Sequence, residues 1–146
     1  MNDSEPDTID HIAKVQKRMD EIIGRLHTRK ATHDASKLRE PEKSAYDALA
    51  EYKSTHEMIY GSSEYAEGLK ILGPALAHHY AHNSHHPEHF VAGINGMSLL
   101  DLIEWVADCK AASERGGGVL RLDFDRFRID MQLAAILLNT VKELGW

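Results

Sequence analysis

The chain has 146 residues, 42% of them hydrophobic and 27% charged, the balance of one globular domain with its own core, which excludes wholesale disorder. A net charge of −6 with histidines neutral argues against a broad surface for nucleic acid or anionic lipid, but not against a small phosphorylated ligand met through a metal ion. Cys109 is the lone cysteine and forms no intrachain disulfide. MNDSEPDTID is no leader peptide and no apolar run nears the ~20 residues of a membrane span, so a soluble cytoplasmic protein, bacterial or from a phage-infected host, is expected.

Residues 1–7 are expected to be flexible. A first helix is predicted from an N-cap at Thr8 to about Arg29, with Ile12, Val15, Met19, Ile22 and Leu26 recurring every three or four positions. A second is predicted from Pro41 to about Met58. After the break at Gly61-Ser62-Ser63, a third carries Tyr65, Leu69, Leu72 and Leu76, and Gly73-Pro74 should kink or split it. Continued past Pro74, the same stripe lands on His79, Asn83 and His86, which points His79 inward, where a buried polar ring needs a partner. Ser98 with Asp101 resembles a capping box for a helix from Leu99 to Ala112, ended by Arg115-Gly116-Gly117-Gly118. A last helix is predicted from Asp125 to Leu144 with Phe127, Met131, Ala134, Leu138 and Val141 on one side; Val119–Leu122 is the one short strand candidate. The expectation is an all-α bundle of five or six helices forming a single domain over residues 1–146.

Ten histidines stand out, and six of them fall between His78 and His89. Imidazole is the commonest side-chain metal ligand, and this cluster is internal and mixed, unlike a tag. Adjacent His33-Asp34 offers a neutral and an anionic ligand together, the mixture that phosphate-cleaving metal centres use. Alone, the dipeptide is a weak signal and reads more readily as a loop histidine beside a helix-capping aspartate.

The order of these residues resembles the HD-domain metal-dependent phosphohydrolases: His11 on an early helix, then His33-Asp34-Ala35-Ser36-Lys37, then Asp108 on a late helix. The stretch His78-His79-Tyr80-Ala81-His82-Asn83-Ser84-His85-His86-Pro87-Glu88-His89-Phe90, with His-Asp-x-Ser-Lys, is also similar to a domain family of unknown function from phage and bacterial genomes. The HD resemblance implies an HD-like helical fold and one or two divalent ions (Mn, Mg, Zn, Ni, Co or Fe) held by His11, His33, Asp34, His79, His86 and Asp108. It implies a hydrolase acting through a metal-activated water on a small phosphate ester, a nucleotide for instance. Lys37 would contact phosphate, Asn83 and Arg115 would line the substrate, and His85 or Glu88 would move a proton. His78 and His82 share another face, and His27, His56 and His89 read as surface or locally bonded residues. Glu42 and Tyr46 recur in the resembling family but read here as capping and packing the second helix. The rival readings are a di-iron oxygenase on the same scaffold and a non-catalytic phage protein that binds metal or nucleotide. A homo-oligomer is compatible with the sequence; no membrane partner is expected.

Overall fold

The computed structural model describes residues 3–115 and 117–146. It is all-helical, with no strand among the described residues. No helix among them is long and apolar enough to cross a membrane. The chain divides into two compact units, Met1–His33 and Asp34–Trp146.

The first unit is α1, Glu5–Thr32. It starts earlier than the cap expected at Thr8. Pro6 has its φ preset for a first turn, and Glu5 and Asp7 favour the positive end of the helix dipole. Thr8 therefore lies inside the helix and its Oγ1 donates to the carbonyl of Ser4 at 2.8 Å. Of the seven residues expected to be flexible, Glu5–Asp7 are helical; the first two lie outside the described residues. The apolar positions Ile12, Val15, Met19 and Ile22 keep their helical spacing, and α1 has no fully buried residue.

The second unit opens with Asp34 in the left-handed region (φ 55, ψ 13), which turns the chain into a 3₁₀ turn at Ala35–Leu38. Then come α2 (Glu42–Lys53), α3 (Ser63–His82), α4 (Leu99–Arg115) and α5 (Met131–Glu143). α2 stops before the expected Met58, whose side chain instead reaches the α2–α3 contact. A Cβ on Gly68 would meet Met58 Cε and come 3.1 Å from Leu49 Cδ1, so a larger residue there would have to displace the end of the Met58 side chain. Gly73 (φ 42) breaks the path of α3, as its glycine and Pro74 foretold. The expected counts of five or six helices differ by this one kink.

Ser98 and Asp101 cap α4 reciprocally: Ser98 N donates to Asp101 Oδ2 at 2.8 Å, and Asp101 N to Ser98 Oγ at 3.2 Å. The expected strand at Val119–Leu122 is irregular backbone. The expected α4 terminator at Gly116 lies outside the described residues. α5 begins at Met131 rather than Asp125, because Asp130 caps it, its Oδ1 accepting from Gln132 N and Leu133 N at 2.9 and 2.8 Å. The inward face agrees with the expected one only in part. Leu137 is buried, with Leu133 and Val141 against the core, while Met131 and Leu138 are exposed. Ile94, Trp105, Val106 and Leu137 form the centre of this core, and Phe127 meets Trp105 edge-on at 5.6 Å.

Candidate metal centre

Beside that apolar core lies a buried polar one. Four ligand atoms, from Asp34, His79, His85 and His86, all lie within 4.8 Å of one another. His79 Nε2 is 3.3 Å and His85 Nε2 is 3.4 Å from Asp34 Oδ1, and His79 Nε2 is 2.9 Å from His86 Nε2. Imidazole nitrogens sharing one ion at about 2.1 Å each stand roughly 3 Å or slightly more apart, so the spacing and the donor set fit a divalent ion.

The elements explain the convergence. His79 is on the last turns of α3, on the inward stripe with Leu72 and Ala75, and is 1% exposed. After α3 the chain is extended at Asn83, and the next residues are pinned one by one. Asn83 donates to Ser36 Oγ at 2.9 Å and to the His79 carbonyl at 2.8 Å, and Ser84 Oγ donates to buried Asp101 at 2.6 Å. His85, 2% exposed, places Nδ1 3.1 Å from Glu104 of α4. The left-handed turn at Asp34 directs its carboxylate to the same place, and Lys37 Nζ donates to Asp34 Oδ2 at 2.5 Å.

Two rings have a carboxylate behind them. Glu42, 0% exposed at the start of α2, accepts from His79 Nδ1 at 2.9 Å, His78 Nδ1 at 2.7 Å and Ser36 Oγ at 2.9 Å. Glu104 stands in the same relation to His85. A carboxylate only accepts, so Nδ1 of His79 carries the proton and Nε2 presents a lone pair to the centre. This outer-shell arrangement fixes ring orientation and tautomer at metal sites.

The electrostatics agree with neutral rings. Burial, then the charge of Lys37, pushes His79 down, outweighing Glu42 and Asp34. Burial, with His85 and His79 adjacent, pushes His86 down to about 3. Burial works to raise Glu42, but its hydrogen bonds from His78, Ser36 and His79 prevail and hold it below its ordinary value. Burial and the nearby carboxylates of Asp34 and Glu42 push the Tyr46 phenol up, so it stays protonated; Lys37 Nζ lies 5.1 Å from its ring centroid. Burial, then Asp108, pushes Cys109 up to about 12, which leaves no reactive thiolate.

Of the residues singled out from sequence, Asp34, His79, His85 and His86 come together. His85, expected as a proton carrier, joins His86 at the cluster. A carboxylate oxygen of Asp108 lies within 4.8 Å of one of Asp34. His33 ends α1 and joins Asp34 through one peptide bond. His11 is on the same continuous helix, roughly six turns or about 33 Å before His33, so these two histidines do not share an ion. Asn83 serves the interior as a brace, and Glu88 is held by Arg126 Nη2 at 2.8 Å. Arg115 is exposed at the end of α4. Glu104 was missed from sequence, and Glu42 was taken for a cap.

The fold and site therefore define an all-α protein with a buried histidine–carboxylate cluster able to hold a metal ion. A family model matches residues 1–143, and the chain belongs to that family, DUF5662, a family of unknown function. No curated protein and no solved structure matches it. The HD likeness thus gains nothing from the comparisons and stands on motif and order alone.

Proposed function

We propose that the protein is a divalent-metal-dependent hydrolase of small phosphate esters, with its ion held by Asp34, His79, His85 and His86. The observation that carries this is the convergence of four donor atoms, two of them on rings backed by Glu42 and Glu104. Asp34 is also where the HD-like motif meets: His33 precedes it in the chain and Asp108 approaches its carboxylate.

An ion bound there supplies Lewis acidity, lowering the pKa of a bound water towards about 7 and neutralising phosphoryl charge. The protein's own groups do the rest. Neutral His79 and His86 offer lone pairs at physiological pH without first losing protons. Asp34 balances charge. Lys37 brings an ammonium beside Asp34, placed to bind a non-bridging phosphate oxygen. Tyr46, kept protonated, presents its ring to that ammonium. A proton donor for the leaving group is not assigned to Glu88, which Arg126 engages.

The test is elemental analysis of untagged wild-type protein beside Asp34→Asn, followed by release of phosphate from nucleotides and simple phosphate esters. Stoichiometric metal and turnover in the wild type, both lost in the variant, is the expected result. Metal without turnover on any ester would overturn the hydrolase reading; no metal after incubation with Mn, Fe, Co, Ni or Zn would overturn both.

A further inference from the structure

His78 and His82 lie one turn apart near the end of α3, outside the buried cluster. Their rings stack with centroids 3.9 Å apart and planes 21° from parallel. His82 is exposed and His78 is one-third exposed. Each has its Nδ1 committed to an atom that only accepts. His78 Nδ1 is 2.7 Å from the buried carboxylate of Glu42, and His82 Nδ1 is 2.8 Å from the backbone carbonyl of His78. Each Nδ1 is therefore the protonated one, and each neutral ring keeps its lone pair on Nε2. At i and i+4 the two rings share one side of α3, the spacing at which two imidazoles reach one ion once the exposed His82 ring turns out of the stack.

We infer that His78 and His82 form a second, solvent-facing metal site that chelates a single transition-metal ion of the Zn²⁺, Ni²⁺, Co²⁺ or Cu²⁺ class through both Nε2 atoms. Imidazole pairs suit these borderline ions and not Mg²⁺ or Ca²⁺, which take oxygen ligands. A histidine ligand whose other nitrogen donates to a carboxylate or backbone carbonyl is the usual outer-shell arrangement, and here both forms occur side by side. The place at the end of α3 helps, because the negative end of a helix dipole favours a cation. Water completes the coordination. The pair is separate from the interior cluster in its donor atoms but touches it through Glu42, which accepts from His78 on one oxygen and His79 on the other. The inference does not depend on the interior holding a metal or on any turnover.

The experiment is Ni²⁺ and Zn²⁺ binding by equilibrium dialysis on the full, untagged chain, with the fold of each variant checked by circular dichroism. Wild type, His82→Ala and the lone-histidine control His56→Ala are compared, each with and without Asp34→Ala to silence the interior. The expected result is one fewer bound ion, or affinity for one ion weakened about tenfold or more, with His82→Ala alone. Unchanged stoichiometry and affinity in His82→Ala, in the wild-type background as well as with Asp34→Ala, would overturn the site. So would equal losses in His82→Ala and His56→Ala. Loss of metal with Asp34→Ala while the His82-dependent ion remains would separate the interior reading from this one.

Discussion

Glu42 Oε2 accepts from His79 Nδ1 at 2.9 Å, deep in the second unit, joining the most buried carboxylate to the most buried imidazole. Because the partner is an ion held below its ordinary value by three hydrogen bonds, the ring has one orientation and one tautomer. Glu42→Gln keeps size and one acceptor but can offer an amide N–H to a ring that is itself a donor. The expected outcome is metal affinity weakened about 10- to 100-fold by dialysis, with the fold retained. Glu42→Leu strands the Ser36 hydroxyl and two ring N–H groups, and should cost about 3 kcal/mol or more in urea unfolding.

Asp34 combines a conformational and a chemical role that substitution can separate. Its φ of 55 is a region where asparagine is tolerated and alanine pays roughly 1–2 kcal/mol. Asp34→Asn should therefore fold with little loss of stability while losing the bound metal, and hydrolysis with it. Asp34→Ala should lose both metal and about 1 kcal/mol or more of stability. Equal metal content in Asp34→Asn and wild type would remove Asp34 from the ligand set.

Stability of the metal-free protein should depend on pH with a definite sign. His86, pushed down to about 3, and His79, also pushed down, stay neutral in the fold while the unfolded chain protonates near 6.5. The unfolded state thus binds more protons below that point, and stability falls as pH falls. Each group contributes at most about 1.4 kcal/mol per pH unit between its two values. Glu42, whose value is lowered, keeps its contribution above the ordinary carboxylate range and loses it only at lower pH. Urea midpoints in chelator should decline from pH 7 to pH 5, and His86→Gln should flatten that decline. A midpoint that rises on acidification would contradict neutral buried rings.

Much of this centre was legible in sequence, for identifiable reasons. Past the kink at Gly73, Ala75 and His79 stand four residues apart on one helical face, and both are buried. Gly73 announced the kink, and Ser98 with Asp101 announced a cap. What periodicity does not reach was lost. Residues 83–86 have no repeating backbone, so nothing in their spacing said that His85 and His86 both turn inward. Glu42 was read as a cap because an acid at a helix start ordinarily is one. A signal for Glu104 was present: Asp101, Glu104 and Asp108 recur at helical spacing along α4, so an otherwise apolar helix carries one acidic face. Near and along α5, Phe127 and Val141 reach the core as expected, but Leu137 is buried while Met131 and Leu138 are exposed, a choice made by tertiary packing that helical spacing alone does not decide.

Lys37 offers a prediction that separates binding of metal from binding of substrate. Its ammonium touches Asp34 Oδ2, the oxygen other than the one near His79 and His85. Lys37→Met keeps much of the stem that packs beside Tyr46 and removes the charge. Metal content should stay near that of the wild type, whereas kcat/KM on phosphate esters should drop about 100-fold, the scale of losing one preorganised donor. Loss of metal in Lys37→Met would instead make the lysine a support for Asp34.

Asp101 tests whether the loop that carries His85 and His86 is held from behind. Its carboxylate is buried and accepts from Ser98 N at 2.8 Å and from the hydroxyls of Ser98 and Ser84, each at 2.6 Å. One aspartate thus caps α4 and fastens the residue immediately before His85. Asp101→Ala removes a cap and leaves buried donors without that acceptor, an expected loss of about 2–3 kcal/mol in urea unfolding. Ser84→Ala cuts only the link to the loop and should cost about 1 kcal/mol. If the link positions the histidines, Ser84→Ala weakens metal affinity by more than its small stability cost suggests, and Ser98→Ala, which spares the loop, does not. Equal metal affinity in the two serine variants would assign Asp101 to the helix cap alone.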